Sequence, residues 1–569
     1  MITENKLTSF KSLVQQSSRE ELIWLNGYLA GLLEQPQLQT NPSVFVDAPV
    51  VLPKPTIVYG TETGNSKKIA TQLQAALKKV KISAKLFDAS QYPVDKIEQE
   101  EFLVVVMSTQ GEGEPPQSAA KFFQALLDRN FQLQNTQFSV FGLGDTAYPL
   151  FCQAATDVDK QLEKLGAKRA YPLQKADTDY TALSQTWIEE IVKLLTTQNI
   201  GSQLVVKQEK QNGLATAHKQ NYIGQIKHKV ILNDRGSNKQ TYHIEIESNE
   251  KVVYACGDAL GVYPKNDEET VKKIATFLGE NLDKAIITNG QSRKLSEVLA
   301  EKSVRNLGKK TIEKLNTFLQ TTIQGEKIDL LDVLPSIQKP DKLNSTDFLE
   351  IFSTITPRLY SIASSPEAHE NEVHLTVGLH KFRTNEQEKI GLCSDFLANY
   401  PKNTKLEFYI HKNNNFRLPA EDKDVIMIGA GTGVAPFRGF LFQRDAENAS
   451  GRNWLVFGEQ YFALDFYYQI EIQEFLAKGV LTKLSTAFSR DTKQKVYVQH
   501  RLKEEATTLY EWLQNGAYVY VCGQKNPMSI DVENTLVEII AEKGKVSTEK
   551  AQEILAQWES EGRYLKDVY

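Results

Sequence analysis

The sequence predicts a chain of the α/β plus β class: a doubly wound parallel sheet, then an antiparallel β-barrel carrying a helical insertion, then a second α/β unit. Three observations predict this order. Short apolar runs alternate with helical segments from Thr56 to about residue 195, alternating strands follow from about residue 220, and apolar runs alternate with helices again from Asp424. Continuous apolar strands between helices are typical of parallel sheets, whereas period-two strands are typical of antiparallel ones.

Length and composition are those of a large globular protein. The 569 residues correspond to roughly three to four domains. A hydrophobic content of 41% excludes a collagen-like or wholly disordered chain, and a formal charge of −5 argues against a general nucleic-acid binder. The amino terminus has no signal-peptide run, and no stretch reaches the ~20 apolar residues of a membrane span. We expect a cytoplasmic protein with no nucleic-acid or membrane partner.

The four cysteines, at positions 152, 256, 393 and 522, form no CxxC motif and no Cys/His cluster. A structural zinc site or an iron–sulfur cluster needs such ligands, so we expect no metal site. Lone thiols are typical of a reducing compartment.

Residues 1–52 are expected to be a helical segment followed by a linker rich in proline, glutamine and asparagine. Apolar residues recur at helical spacing between residues 6 and 36. This stripe is either a packing face or an oligomerisation element, which leaves a homo-oligomer open.

The first α/β unit is expected at residues 53–197, with strands at 56–60, 101–109 and 137–144 and helices at 66–80, 117–129, 152–165 and up to about 195. The motif TETGNS (61–66) follows the first strand and opens a helix. Such a junction presents backbone N–H groups to a phosphate. It lacks the lysine of GxxxxGK(S/T), which excludes an NTPase loop.

Two further loops, STQGEGEPP (108–116) and GLGDTAYPLFC (142–152), follow strands of the same unit. Ligands of open α/β sheets bind outside the carboxyl ends of the strands. With all three loops in order over about 145 residues, this unit resembles the flavodoxin family. The resemblance implies bound FMN, with Tyr148 stacked on the flavin ring; at Gln110 some relatives have a second aromatic residue. The implied FMN-binding residues are Thr61, Glu62, Thr63, Gly64, Asn65, Ser66, Ser108, Thr109, Gln110, Gly111, Leu143, Gly144, Asp145, Tyr148, Phe151 and Cys152.

Acidic residues lie in or near these loops: Glu112, Glu114, Asp145, Asp177 and Asp179. Two interpretations stay open at this point. The acidic end is either a solvated loop face or a docking surface for a positively charged partner, since charge steers encounter.

A polar linker is expected at 198–219, and the β-barrel at 220–420 with its helical insertion at about 265–345. RLYS (358–361) stands in a strand, and GLCS (391–394) precedes a helix. An arginine can hold a pyrophosphate, and N–H groups before a helix can hold another phosphate. This pair resembles the FAD half of the ferredoxin–NADP reductase-like enzymes. The FAD-binding residues implied are Arg358, Leu359, Tyr360, Ser361, Thr376, Val377, Gly378, Phe382, Gly391, Leu392, Cys393, Ser394 and the terminal Tyr569, which would cover the flavin ring.

The second α/β unit, expected at 421–569, carries GAGTGVAPFRGF (429–440) after the strand DVIMI. Its GxGxxxP pattern permits close approach to a pyrophosphate but departs from the GxGxxG fingerprint for NAD. The cations and hydroxyl of SR (489–490) and KVYVQ (495–499) suit a ribose 2′-phosphate, which favours NADPH over NADH. The implied NADP-binding residues are Gly431, Thr432, Gly433, Pro436, Ser489, Arg490, Lys495, Val496, Tyr497, Val498, Gln499 and Asp531.

The same resemblance places three catalytic residues around a hydride path. Cys522, at the end of the strand GAYVYVCGQ, would lie beside the nicotinamide together with Ser361 and Asp567. In this role Asp567 stabilises positive charge on the nicotinamide as hydride leaves, which is electrostatic assistance.

The combination of these units over about residues 53–569 resembles the diflavin reductases, in which electrons pass from NADPH to FAD to FMN and on to a separate acceptor. STQGEGEPP, LIWLNGYLAGLLEQ, SRDTKQKVYVQ and the final DVY resemble the branch that serves assimilatory sulfite reduction in cysteine biosynthesis. The acceptor implied is a haem/iron–sulfur hemoprotein, the sulfite reductase beta subunit. Two alternatives stay open: a general NADPH–haem-protein reductase serving a monooxygenase, and a flavin-binding sensor without turnover.

Overall fold

The computed structural model of the chain contains three large sheets, one in each of the three regions that the sequence predicts. The structure describes residues 54–61, 64–110, 113–146, 150–177, 180–197, 220–288, 290–325, 328–338, 343–384 and 387–569. The expectations for residues 1–52 and for the linker at 198–219 lie outside the described residues. The three sheets belong to one compact unit that spans residues 53–569.

The first sheet is parallel and doubly wound. Its strands lie in the spatial order Lys85–Asp88, Thr56–Gly60, Phe102–Ser108, Gln137–Leu143 and Lys168–Arg169, and Gln174–Ala176 also pairs with the fourth. The helices are Asn65–Lys79, Ala120–Asp128, Gln153–Lys164 and Thr181–Thr197, with short 3-10 turns at Val94–Gln99 and Gln117–Ala119. The three long strands expected from the sequence are confirmed to within two residues, and their loops meet where the strand order reverses.

The second sheet is an antiparallel barrel. Its strands lie in the order Arg358–Ser361, Ala259–Val262, Lys405–His411, Asn221–Ile231, Thr241–Ser248 and Glu372–Gly378. A bridge between Ile362 and Leu375 joins the two ends and closes the sheet. Helices Pro366–His369 and Leu392–Asn399 and a hairpin, Lys381–Thr384 with Gln387–Ile390, complete this region.

The insertion at about 265–345 is mainly helical. It contains helices Glu268–Leu278, Leu295–Ala300, Lys309–Leu319, Leu330–Val333 and Ser345–Glu350, a 3-10 turn at Leu334–Ser336, and a hairpin of Ala285–Thr288 with Gln291–Lys294 that the sequence pattern did not predict. Buried side chains such as Ile274, Leu315 and Phe348 give it a hydrophobic core of its own.

The third sheet is parallel, in the order Lys483–Phe488, Asn453–Glu459, Val425–Ala430, Tyr518–Gly523 and Tyr564–Val568. Its helices are Ala435–Ala446, Phe462–Asp465, Gln469–Lys478, Val498–Glu504, Ala506–Gln514, Ile530–Gly544 and Thr548–Ser560, with short turns Gly431–Val434 and Lys525–Ser529. Along its central strand, Ile426 and Ile428 enter one core and Val425 and Met427 the other. Burial on both faces explains the continuous apolar run.

A buried polar network joins the barrel to the third sheet. Arg438 forms a double ion pair with Glu471 and donates to the carbonyl of Ala363 at 2.8 Å. Arg438 also lies 3.1 Å from Nδ1 of His374. Buried charges are stable only when paired in this way, so the network fixes the barrel against the sheet.

Among the described residues, no helix combines the length and the apolar character needed to cross a membrane.

Candidate active site

Ser361, Cys522 and Asp567 meet where the barrel contacts the third sheet. Ser361 ends a barrel strand, and its hydroxyl donates to Oδ2 of Asp567 at 2.8 Å. Cys522 and Asp567 are register partners on adjacent parallel strands, with Sγ 3.9 Å from Oδ2. The amide of Asn413 lies 3.5 Å from Oδ1 of the same carboxyl group. Three segments far apart in sequence therefore converge on one carboxyl group.

The surroundings set the protonation of this group. Burial raises the pKa of Asp567 above its usual range, while the hydrogen bond from Ser361 and the proximity of His411 act in the opposite direction. Burial also raises the pKa of the Cys522 thiol well above its usual range, so this cysteine is a neutral thiol and a poor nucleophile. The arrangement suits electrostatic assistance, with no covalent role for sulfur.

The loop Gly431–Val434 lies against Cys522 at the point where strand order reverses in the third sheet. A Cβ added to Gly433 would lie 2.2 Å from the carbonyl oxygen of Cys522, which only glycine permits. Pro436 stands in the first turn of the following helix. The structure thus provides a close backbone approach at the sheet edge where open α/β sheets bind ligands.

The residues expected around a 2′-phosphate divide into two groups. Ser489 follows the strand Lys483–Phe488, and Arg490, Lys495 and Tyr497 are exposed next to it. Val498, by contrast, is buried in the hydrophobic core of the sheet, so its side chain packs and does not face a ligand. Val496 packs partly against the same core.

Gln499 and Asp531 face each other, with Nε2 of Gln499 donating to the carboxylate at 3.0 Å. Oε1 of Gln499 and Oε1 of Gln460 are both buried without a protein partner among the described residues. Buried polar atoms are almost always hydrogen-bonded, so these two orphaned oxygens fit a site completed by a polar ligand such as NADP.

Some of the expected FAD residues of the barrel are exposed, and others are buried. Arg358 is exposed, and Leu359 and Phe382 are 38% and 37% exposed. Tyr360 contacts the buried thiol of Cys393, whose pKa burial raises to about 12. An exposed arginine beside apolar side chains fits a flat ring with a pyrophosphate.

The turn before helix Leu392–Asn399 is tightly built: Ser394 donates to the carbonyl of Gly391 at 2.9 Å and accepts from the backbone N–H of His380 at 3.1 Å. Thr376 and Val377 are both buried, on opposite faces of their strand. The Thr376 hydroxyl is 2.6 Å from the Tyr468 hydroxyl, and Val377 is in the barrel core. Any contact of these two with an adenosine would be through backbone, as at Gly378 beside Thr432.

Both the backbone and the side-chain hydroxyl of Tyr569 form hydrogen bonds, although the residue is 65% exposed. Its backbone N–H donates to Gly523 at 3.1 Å and its carbonyl accepts from Lys525 at 2.9 Å, and its hydroxyl lies 2.6 Å from that of Thr432. The terminal residue therefore continues the last strand and covers the glycine loop, which does not fit a frayed tail.

A hydrogen bond within the phosphate loop of the first sheet fixes its shape. The N–H of Gly64 donates to Thr61 Oγ1 at 2.9 Å, and Gly64 has a φ of +90°, which favours glycine. Asn65 begins the helix, whose first turn has no acidic residue. The Ser66 hydroxyl is fully buried without a partner among the described residues. This donor set fits a phosphate, whereas Glu62 and Thr63 lie outside the described residues.

The other two loops end neighbouring strands. Ser108 donates to the carbonyl of Gly60 at 3.3 Å, and the Thr109 hydroxyl accepts from Ala154 at 3.2 Å. Gln110 exchanges backbone hydrogen bonds with Glu114. Burial raises the pKa of the Cys152 thiol to about 12. Leu143, Gly144 and Phe151 belong to the described part of this edge, while Gly111, Glu112, Tyr148 and Asp179 lie outside it.

Two of the acidic residues of these loops, Asp145 and Asp177, have protein partners. Thr146 hydrogen-bonds Asp177, and Oδ2 of Asp145 lies 3.3 Å from Nδ1 of His411 in the barrel. The Asp145 side chain is only 13% exposed. The interpretation of a uniformly solvated acidic face therefore does not apply to Asp145.

Sequence reasoning missed several residues of this region. His411 ends the barrel strand Lys405–His411 and Asn413 follows it, and the polar run HKNNN at this strand end was the available signal. Lys239 pairs with the buried Glu459 beside Gly431, a contact that no local pattern could predict.

One group of described residues has potential metal-ligand atoms within 4.8 Å: His243, Glu245 and His374. The ring nitrogens of His243 already contact Tyr468 and Glu245, and those of His374 contact Glu372 and Arg438. Burial lowers the pKa of His243 to about 2 and that of His374 to about 3. With a guanidinium 3.1 Å away, this cluster suits packing better than a cation.

Comparison with known families matches the same three regions. The flavodoxin family matches residues 57–188, the FAD binding domain family residues 215–296 and 285–396, and the oxidoreductase NAD-binding domain family residues 427–534. Among curated proteins, the sulfite reductase (NADPH) flavoprotein alpha-component of Serratia proteamaculans is 36% identical over 594 residues, which cover 100% of this chain and 98% of that protein. Its counterpart in Bacillus subtilis is also 36% identical, covering 98% of this chain and 97% of that protein. The chain therefore belongs to the family of the sulfite reductase (NADPH) flavoprotein alpha-components, which are diflavin reductases.

Proposed function

We propose that this protein is the NADPH-dependent diflavin reductase that passes electrons through FAD and FMN to the hemoprotein of sulfite reductase, for the reduction of sulfite to sulfide. The observation that carries the proposal is the 2.8 Å hydrogen bond from Ser361 of the barrel to Asp567 of the last strand, beside Cys522. It joins the flavin side and the nicotinamide side of one site. The similarity over the full chain to the flavoprotein alpha-components supports the same function.

Each of the three sheets belongs to a domain that would bind one cofactor. We propose an FMN domain at 53–197, a FAD domain at 220–420 and an NADP domain at 421–569. The two flavins, when bound, supply the exchange between two-electron and one-electron transfer. Thr61–Ser66 would hold the FMN phosphate, Arg358 and the Gly391 turn the FAD phosphates, and Gly431–Gly433 the NADP pyrophosphate.

The protein groups at the hydride site orient the Asp567 carboxyl group and would stabilise charge on the nicotinamide. Ser361 fixes the rotamer of Asp567, and the carboxylate lies where it can offset positive charge on the nicotinamide. The neutral Cys522 thiol packs beside it, and Tyr569, whose hydroxyl is bonded to that of Thr432, would cover the flavin ring. Arg490 and Lys495, both exposed, would select NADPH through its 2′-phosphate.

We propose that the acceptor is a separate hemoprotein, because the four cysteines are free, buried thiols at scattered positions and offer no ligand set for an iron–sulfur cluster. We further propose that residues 1–52 mediate assembly of a homo-oligomer. Free thiols also support a reducing compartment, so we place the protein in the cytoplasm.

A flavin count combined with an acceptor assay tests the proposal. The purified full chain should hold one FMN and one FAD, oxidise NADPH with ferricyanide, and yield sulfide from sulfite only when the sulfite reductase hemoprotein is added. Faster reduction of a monooxygenase haem protein than of that hemoprotein would favour the general reductase instead. Two bound flavins without NADPH oxidation would favour a sensor.

A further inference from the structure

A two-stranded hairpin, Lys381–Thr384 with Gln387–Ile390, carries the expected FAD residue Phe382 and leads directly into the turn at Gly391. Most of its described side chains are exposed, whereas that of Lys389 is half-buried. An isolated two-stranded hairpin is only marginally stable in water, so it needs an attachment to keep one position. Lys389 is a point where this hairpin contacts a different part of the molecule.

The side chain of Lys389 extends from the hairpin to the helical insertion. Its Nζ donates to Oδ2 of Asp329 at 2.8 Å and also to Oδ2 of Asp332. The lysine side chain is 14% exposed. Partly buried ion pairs are screened by salt less than surface pairs, and removal of one partner leaves the other charge without compensation.

The two aspartates belong to a well-packed part of the insertion. Oδ1 of Asp329 accepts the backbone N–H of Asn306 at 2.7 Å, so its other oxygen is oriented toward the lysine. The next residue, Leu330, is fully buried in the core of the insertion, and its N–H donates to the carbonyl of Val304 at 2.8 Å. The insertion therefore holds these carboxyl groups independently of the hairpin.

Lys389 lies directly opposite Phe382. The two residues are register partners on antiparallel strands, so their side chains project from the same face of the hairpin. At the base of the hairpin, the N–H of Gly391 donates to the carbonyl of His380 at 2.8 Å, and the His380 ring stacks on that of Phe382 with centroids 5.4 Å apart. An attachment at Lys389 therefore restrains both the exposed aromatic ring and the phosphate turn.

We propose that Lys389 is a positioning residue for FAD: its ion pairs with Asp329 and Asp332 attach the hairpin to the helical insertion and so keep the FAD site closed. The proposal rests on the proposed function, because it takes Phe382 and the Gly391 turn as parts of the FAD site. The lysine acts through the hairpin, and the insertion contributes to FAD binding through these two carboxylates.

The test measures how long the full chain retains FAD, with bound FMN as the internal reference. Lys389→Met removes the ammonium group and keeps an unbranched side chain. Its matched control, Lys381→Met, makes the same change in the same hairpin at an exposed position. Diluted protein is filtered at intervals, and the FAD and FMN that remain bound are quantified by chromatography. We expect FAD dissociation at least about fivefold faster than wild type in Lys389→Met, and within about twofold of wild type in Lys381→Met, with FMN retained in both.

Two more variants separate attachment of the hairpin from direct contact between Lys389 and FAD. Asp329→Asn changes the insertion and keeps an acceptor for Asn306, and it should speed FAD loss in the same direction. Lys389→Arg should restore retention, because a guanidinium can pair with carboxylates. When Lys389→Met and Asp329→Asn are combined, their effects should be less than additive, since both remove the same interaction.

Equal FAD retention in Lys389→Met and Lys381→Met would overturn the proposal. Wild-type retention in Asp329→Asn beside rapid FAD loss in Lys389→Met would also overturn it, because that result indicates direct contact of the lysine with FAD. Parallel loss of FMN and FAD would do the same, since it indicates general unfolding. A wild-type chain that retains FAD and does not oxidise NADPH would contradict the proposed function instead, and the retention comparison would still decide the role of Lys389.

Discussion

Removal of the Ser361 hydroxyl is the sharpest test of the hydride site. In Ser361→Ala, Asp567 loses the donor 2.8 Å from its Oδ2, while the more distant Asn413 contact at 3.5 Å remains. A hydrogen bond to a charged group contributes about 1.5–3 kcal/mol. If that stabilisation acts in the transition state, the rate of flavin reduction by NADPH falls about 10- to 150-fold.

The same variant should change the pH dependence in a defined direction. Burial raises the pKa of Asp567 and the Ser361 hydrogen bond lowers it, so loss of the hydroxyl raises the pKa further. As pH falls, Asp567 then becomes protonated earlier, and the acid limb of the rate profile moves to higher pH. Loss of activity at low pH should therefore begin sooner in the variant than in the wild type.

Single-turnover stopped-flow reduction across a pH series measures both effects. Ser361→Thr keeps a hydroxyl and should restore most of the rate. In the background of Asp567→Asn, Ser361→Ala should cost far less, because its charged partner is gone. A slower rate with an unmoved acid limb, or equal costs in both backgrounds, would refute the reasoning.

Four further predictions concern the nicotinamide side. Neutralising Arg490 and Lys495 together, as glutamines, should raise the KM for NADPH at least about tenfold and spare that for NADH, because only NADPH carries the 2′-phosphate; an unchanged preference in steady-state assays would exclude this site. Tyr569→Ser should relax discrimination against NADH, measured as the ratio of kcat/KM values, since the nicotinamide no longer displaces a tethered ring; an unaltered ratio counts against the shielding role. Gly433→Ala should lower stability by about 1–3 kcal/mol and weaken NADP binding, because the added Cβ would lie 2.2 Å from the Cys522 carbonyl oxygen, and wild-type values by thermal unfolding and titration would argue against the close approach. Cys522→Ala should slow flavin reduction much more than it weakens NADP binding, and equal effects would leave the thiol a packing role only.

Local pattern predicted much of the fold because each long strand carries its own signal. The strand Val425–Ala430 is buried on both faces, and its continuous run of apolar residues is the pattern that predicts such a strand. Short strands such as Lys85–Asp88, which is at the edge of the first sheet, are partly exposed and carry no such run. The Ala285–Lys294 hairpin was likewise missed inside a segment with helical composition.

The motifs predicted which loops carry chemistry, and the tertiary structure decided what each side chain does there. Val498 belongs to the KVYVQ motif, yet it is in the core, because a helix begins at that residue and its first turn packs on the sheet. Thr376 is likewise buried, with its hydroxyl against that of Tyr468.

By itself the sequence determined the class of protein, since three ordered loop motifs and two α/β patterns need no long-range information. It also determined the choice of NADPH as the expected donor, because charged side chains near a phosphate loop are visible locally. Only the tertiary structure brought Ser361, Cys522 and Asp567 to one carboxyl group and placed His411 against Asp145. Those contacts join residues 45 to 266 positions apart, and such pairings arise from how sheets pack, which no local periodicity encodes.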